Sequence, residues 1–440
     1  MEKNFNASRL FVASCLALLV TSLTFAIRAR IEGVFQSDYG LSAQDVGWAF
    51  GPAFWGFTIA MFAGGLFIDF VKTRSIIWVA FGMHLIGIVL LLMAKDATML
   101  FVANVFIGLG NGSVEAACNP LVATIYTDNK TKMLNRFHVW FPGGAVVGGI
   151  LAYILMDNFN VSWQVLTSLL FIPLALYGYL FYGQTIPETE RVSSGVSYSN
   201  MLKNVGAPFT IVAVVFYMIL AASVPSLAIN FDSTITYIVL GVIVIALVVE
   251  SVFINKAGLL FPFMVFCMFL TSASELGTNQ WTGALLNNSG VNPMIILVLV
   301  TGIQAVGRFF AGPLIHKLNP AGVLAGSAVL SFIGLYLFSI ADGAAFTLFA
   351  AIVFGFGVCY FWPTMLGFVA EYIPSSGALG LSILGGAGMV ATSLVLPIMG
   401  QSIDTEGPQM TLRYMSILPA ILIVLFIGLN IFMRGKNAKH

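Results

Sequence analysis

The segment 108–120, G-L-G-N-G-S-V-E-A-A-C-N-P, puts one carboxylate, Glu115, near the middle of an apolar stretch that runs from 99 to about 126. A stretch of that length crosses a bilayer as a helix. A lone carboxylate in hydrocarbon costs about 3 kcal/mol on insertion scales, so an ionisable group at this depth is expected to face a cavity or a water path. Burial favours the neutral form of any carboxylate, which makes Glu115 a candidate proton carrier. The surrounding glycines let a second backbone or a ligand come close. The alternative is a packing role, with Glu115 neutral or paired inside the bundle.

A second cluster follows Glu275, at similar depth in a later apolar stretch: Asn279, Gln280 and Trp281. Helical residues four apart share a face, so Glu275 and Asn279 are expected together, with Gln280 and Trp281 beside them. A carboxylate, two amides and an aromatic plate are the groups with which proteins hold sugars; the same groups also serve as an interhelical clamp. Arg28 and Arg30 stand near the outer end of the first stretch, where long basic side chains can snorkel to headgroups. If Arg28 faces inward, it could pair with Glu115 or Glu275, or hold an anionic solute. Arg308 lies toward the inner end of its stretch, where it reads as a gate or as an ion pair with another part of the bundle. Trp362, before Pro363, is a candidate to stack on cargo, whereas His84 reads as a packed core histidine. No nucleophile motif or metal-ligand cluster accompanies these residues, so the chemistry expected is solute binding and proton movement, not catalysis. No cofactor is expected.

These polar residues are set in a chain of 440 residues, 59% hydrophobic and 8% charged, a composition that belongs to an integral membrane protein. A net charge of +1, with the basic residues scattered, offers nothing to nucleic acid. The four cysteines all fall in apolar segments and form no disulfide or zinc pattern. The expected partners are a small-molecule solute and the bilayer, with the protein a monomer.

Hydropathy divides the chain into fourteen spans: about 9–30, 44–69, 74–94, 98–126, 133–156 and 162–183, then 207–229 and 234–254, then 258–286, 293–316, 319–340, 345–371, 376–402 and 411–433. The segment 184–206 between the sixth and seventh is polar and reads as a linker. The positive-inside rule orients the chain. With the N-terminus inside, Lys3, Arg9, Lys72, Arg74, Lys130, Lys132, Arg136, Arg191, Lys203, Lys256, Lys317, Arg434, Lys436 and Lys439 fall on the cytoplasmic side, against Arg28, Arg30, Lys95 and Arg413 outside. Both termini are therefore expected in the cytoplasm, at a bacterial inner membrane.

An internal repeat emerges at an offset of 247 residues. G-L-F-I-D at 65–69, with Lys72 and Arg74, maps onto G-P-L-I-H at 312–316 with Lys317, and Gly108-Leu-Gly110 maps onto Gly355-Phe-Gly357. Asp69, Lys72, Arg74, His316 and Lys317 thus form a pair of loop motifs, suited to ion pairing that changes with state. The expected organisation is all-α: a six-helix bundle over 1–183, the linker 184–206, an inserted helix pair 207–254, and a second six-helix bundle over 255–440. Asp232 and Glu250 in the inserted pair lie near its ends, so the pair is expected to pack outside the core.

Six plus six spans, a central linker and G-x-x-x-D-x-x-K-x-R after the second span resemble the major facilitator superfamily, most closely its fucose–proton symporter group. The residues carrying the resemblance are Glu115-Ala-Ala-Cys-Asn119-Pro120, Leu134-Asn135 with His138 and Gly143-Gly144, Gly307-Arg308-Phe309, and Trp362-Pro363-Thr364. The resemblance implies the major facilitator fold and alternating access about a midplane site. It also implies a proton and substrate role for Glu115, places Asn119 in the site motif, and makes His138 a candidate proton relay. One position departs from it: where the group carries an acidic residue late in the first span, this chain has Ala29. The function expected is proton-coupled symport of a sugar or sugar derivative. The alternatives are an organic-anion carrier using Arg28 and, more remotely, a membrane-embedded sensor or enzyme.

Overall fold

The computed structural model describes residues 5–41, 43–223, 234–286 and 290–434. Lys3, Lys436, Lys439 and Asp232, used in the sequence reading, lie outside them. Among the described residues the regular structure is helical throughout, as a chain in hydrocarbon requires, since each backbone N–H and C=O must be satisfied within its own segment.

The helices are α1 (Ala7–Ser37), α2 (Ala43–Phe50), α3 (Pro52–Met93), α4 (Ala97–Ile125), α5 (Lys130–Phe137), α6 (Trp140–Ala152), α7 (Trp163–Ser168) and α8 (Phe171–Phe181). In the linker are α9 (Glu190–Ser193) and α10 (Tyr198–Asn204), followed by α11 (Pro208–Ser223) and α12 (Thr234–Val248). Then come α13 (Leu260–Ser272), a π-helical turn (Ala273–Gly277), α14 (Thr278–Gln280), α15 (Thr282–Leu285), α16 (Pro293–Phe309), α17 (Ala311–Ser339), α18 (Ala344–Val358), α19 (Phe361–Tyr372), α20 (Gly377–Glu406) and α21 (Pro408–Met433).

Among the described residues, eleven helical stretches are long and apolar enough to cross a bilayer, or twelve if Tyr198–Asn204 and Pro208–Tyr217, bent by 65°, form one. One of the eleven, Trp48–Met93, has 46 residues. As a straight helix it would reach about 70 Å, over twice the hydrocarbon thickness. It is broken at Lys72 (φ 66°, ψ 145°), and α17 is broken in the same conformation at Asn319 (φ 56°, ψ 166°). The fourteen spans read from the sequence divide the chain at both breaks.

Lys72 and Asn319 are separated by the 247 residues of the repeat, and side-chain packing recurs at the same offset. Gly110 lies so close to His84 that a Cβ would not fit, and Gly357 stands in the same relation to Ser331. Gly87 is closed off by Ile107, and Gly334 by Phe354. Each pair maps onto the other by the one shift, so close helix contact is built on glycine in the same way twice.

The repeats meet at the end of the molecule that carries the linker. The first arm of α3 packs on α20, with Gly65 against Ser382 and Gly386 against Phe62. Across the junction of α5 and α19, Asn135 Nδ2 donates to Thr364 Oγ1 at 3.2 Å. The linker ties both sides. Arg191 Nε donates to Asp69 Oδ2 at 2.5 Å, while Lys130 Nζ donates to Glu190 Oε1 at 2.6 Å and to Ala370 O at 3.1 Å.

Of the inserted pair, α11 packs on α20 and α12 on α11. Glu250 accepts from the N–H groups of Phe209 (3.1 Å) and Thr210 (2.8 Å), which caps the first turn of α11. Tyr237, Ile238, Val242 and Ile245 of α12 face outward, an apolar surface suited to lipid.

Candidate functional site

Glu115 and His138 line a cavity of about 320 Å³ between the repeats, with Glu275, Arg308 and Trp362 on the other side. Phe141, Leu276 and Met389 complete it with apolar walls. Little of that volume is free: there is room for little more than a water molecule. A larger opening of about 970 Å³ lies at the linker face, lined by Asp69, Lys72, Arg74 and 183–189, away from these residues.

On one wall the polar groups form a chain. Asn119, one turn after Glu115 on α4, donates through Nδ2 to Glu115 Oε2, and its Oδ1 lies 3.0 Å from His138 Nε2. An amide oxygen only accepts, so His138 carries its proton on Nε2. His138 Nε2 is 3.8 Å from Glu115 Oε2. Glu115, Asn119 and His138 are at most 2% exposed. His138 belongs to this chain because the helix is interrupted at 138–139, between α5 and α6, which lets the imidazole turn toward α4.

The opposite wall centres on an ion pair. Arg308 Nη2 donates to Glu275 Oε1 at 3.1 Å, its Nε to Cys359 O at 2.7 Å and its Nη1 to His138 O at 3.2 Å. Gln304, one turn earlier on α16, lies near the same carboxylate, its Nε2 without a hydrogen-bond partner. A buried ion pair is stable only when further hydrogen bonds satisfy the remaining donors and acceptors, and the guanidinium has them here, on the carbonyls of Cys359 and His138. The sequence read Arg308 as a gate or an ion pair; the structure pairs it with Glu275 and puts both on the cavity, a place the sequence did not give it. The signal that could have found it is the spacing of Gln304 and Arg308, four apart on one face of a helix whose other polar residues are few.

Four expected cavity residues lie elsewhere. Arg28, 8% exposed, reaches neither the cavity nor the lipid. Its guanidinium sits 4.6 Å from the Phe54 ring centre, 4.9 Å from that of Phe25 and 5.7 Å from that of Phe50, an aromatic cage that stabilises a cation, with the Glu32 carboxylate one turn on adding its attraction. Phe25 in turn is 6.0 Å from Phe141 of the cavity wall, so one ring separates Arg28 from the site. Asn279 is half-buried and Gln280 is exposed, neither lining the cavity. Trp281 donates from Nε1 to Leu396 O at 3.0 Å and lays its ring on Gly400. The cause is the π-turn at Ala273–Gly277: one extra residue in a turn rotates everything after it by about 100°, so Glu275 and Asn279 no longer share a face. Trp281→Phe is therefore expected to leave solute uptake unchanged. It should cost about 0.5–1.5 kcal/mol, read as a lowered melting temperature, because the indole's bond to Leu396 O is lost.

Trp362 does line the cavity, its ring accommodated by Gly388. Among the loop motifs, Asp69 is held by Arg191 and by Thr189, whose Oγ1 donates to Asp69 Oδ1 at 2.5 Å. Lys72, Arg74, His316 and Lys317 are exposed. The linker partners Glu190 and Arg191 were not singled out from sequence, because a polar linker offers no periodicity from which to read a contact.

The family profile described as Major Facilitator Superfamily matches residues 10–278. No curated protein is a significant sequence match. Among solved structures, the E. coli fucose:proton symporter FucP superposes with a TM-score of 0.64 at 14% identity, covering 96% of this chain and 98% of that one. The proton:xylose symporter XylE, bound to 6-bromo-6-deoxy-D-glucose, gives 0.67 at 14% identity, with 96% and 95% covered. The human organic anion transporter MFSD10 gives 0.65 at 11% identity, with 96% and 99% covered. At these identities the likeness is one of fold.

Proposed function

From the premise that the chain belongs to the Major Facilitator Superfamily of transporters, we propose that it moves a neutral sugar or sugar derivative together with protons, by alternating access. The proposed layout is two six-helix bundles, 1–183 and 255–440, joined by the linker 184–206 and the inserted pair 207–254. In this layout fourteen spans cross a bacterial inner membrane, with both termini and the linker in the cytoplasm, and the protein works as a monomer.

The observation that carries the reading is the Glu115–Asn119–His138 chain facing the same cavity as the Arg308–Glu275 pair and Trp362. A carboxylate that moves a proton needs a partner to hold it in either protonation state, and Asn119 supplies a donor that serves both. The cavity carries two carboxylates against one guanidinium, and Glu275 already neutralises Arg308. Proton uptake by Glu115 therefore brings the wall to overall neutrality, which suits an uncharged solute with hydroxyls to bond and a ring to stack on Trp362. FucP and XylE, of the same fold, are proton:sugar symporters by name.

The organic-anion alternative loses Arg28, which sits in its aromatic cage, and rests instead on Arg308 as a cation in the cavity. Proteoliposomes with an internal pH dye separate the two. Acidification of the lumen on adding neutral sugars is the expected result. A response to small organic anions alone would move the reading to the anion carrier, and silence from protein that binds sugar would refute proton coupling.

A further inference from the structure

Two of the three groups that Arg308 bonds are carbonyls freed by proline. In an α-helix each N–H donates to the carbonyl four residues earlier, and proline has no N–H to give. Pro142 therefore leaves His138 O without its helical donor, and Pro363 does the same to Cys359 O. The helices are interrupted at both places, between α5 and α6 and between α18 and α19. Arg308, His138 and Cys359 are at most 2% exposed, so bulk water does not replace the missing donors. One guanidinium replaces both, from Nη1 at 3.2 Å and Nε at 2.7 Å. An unmet buried carbonyl costs about 1–3 kcal/mol, and a bond from a charged donor is among the stronger ones available.

We propose that Arg308 is a positioning residue that holds the linker side of the transporter closed: it bridges the carbonyl freed by Pro142 in the first repeat to the one freed by Pro363 in the second, with Glu275 anchoring the guanidinium. The proposal rests on the alternating-access reading above. Of the three bonds, only the one to His138 O crosses between repeats, so it must break when they separate.

The repeat supplies an internal comparison. The 247-residue offset maps Arg308 onto Met61 and His138 onto Gly385, and these two also touch across the repeats, with the methyl end of Met61 seated on the glycine. The same junction is thus built twice, with directional hydrogen bonds on one side and a flexible thioether on the other. Directional bonds set a closed position; the thioether tolerates sliding. Lysine cannot substitute for Arg308, because a single ammonium nitrogen lacks the planar fan of donors that reaches two carbonyls and a carboxylate at once.

The test is a distance measurement between spin labels introduced by Val71→Cys and Leu318→Cys. These exposed positions are equivalent under the repeat and lie beside the breaks at Lys72 and Asn319. The four native cysteines are buried, away from the labelling reagent. In nanodiscs without solute, Arg308→Lys, which keeps the charge opposite Glu275, is expected to raise the long-distance population at least several-fold. Pro142→Ala returns an N–H to the helix for His138 O, so in that background Arg308→Lys should have a much smaller effect. Unchanged distances in Arg308→Lys, or an equal shift in both backgrounds, would overturn the proposal. Failure of the proton assay would strike the proton-coupling reading and leave these distances standing, whereas unchanged distances in a protein that transports would sink the clasp alone.

Discussion

Glu115→Gln is expected to abolish sugar-driven acidification of proteoliposomes while leaving exchange of labelled for unlabelled sugar at near wild-type rate. Glutamine keeps the shape of the side chain and an oxygen to accept from Asn119 Nδ2, so the wall that His138 completes stays in place. What it loses is the site at which a proton can come and go. Net symport needs that proton to be bound on one side and released on the other, whereas exchange returns the protein with cargo still aboard and moves no net proton. A loss of at least tenfold in acidification, with exchange retained, would assign the proton to Glu115. Acidification that survives the substitution would move the assignment to Glu275, the other carboxylate on the cavity.

Glu275→Ala should destabilise the protein by about 3–5 kcal/mol, seen as a large fall in melting temperature in detergent, because it strands a buried guanidinium. Arg308 is 2% exposed and its remaining bonds are to neutral carbonyls. The reverse change should cost about as much. In Arg308→Met the orphaned Glu275 can take up a proton and become neutral, but the carbonyls of His138 and Cys359 lose their donor. Removing both partners with apolar residues of similar volume, Glu275→Leu with Arg308→Met, removes the stranded charge and is expected to recover only part of the stability, because the two carbonyls stay unmet. The recovered protein should still fail to transport. If Glu275→Ala and Arg308→Met proved equally mild, the pair would not be the buried anchor described here.

How much of this could be read from residues alone differs between the fold and the site. Helices were legible because apolar runs of bilayer length have no other way to satisfy their backbone. The repeat was legible because two short motifs agreed on one offset, and the structure places matching breaks at Lys72 and Asn319 and matching glycine contacts at Gly110 and Gly357 on that offset. By the same offset Glu275 corresponds to Arg28, and Trp362 to Glu115. Yet only three of these four line the cavity. α1 runs as an unbroken helix that carries Arg28 into its aromatic cage, whereas the π-turn at Ala273–Gly277 resets the register of everything beyond Glu275.

The sequence by itself determined that this chain is a membrane bundle with a repeat and with ionisable groups at mid-depth, because those follow from local hydropathy and from spacing along one strand of text. Only the tertiary structure decided which of those groups meet. It brought Arg308 to Glu275 and His138, and left Asn279, Gln280 and Trp281 to the bundle. The physical reason is that a buried charge settles where its bonds can be completed. The acceptors that completed those of Arg308 were carbonyls freed by Pro142 and Pro363, on helices far from it in sequence and adjacent only after folding.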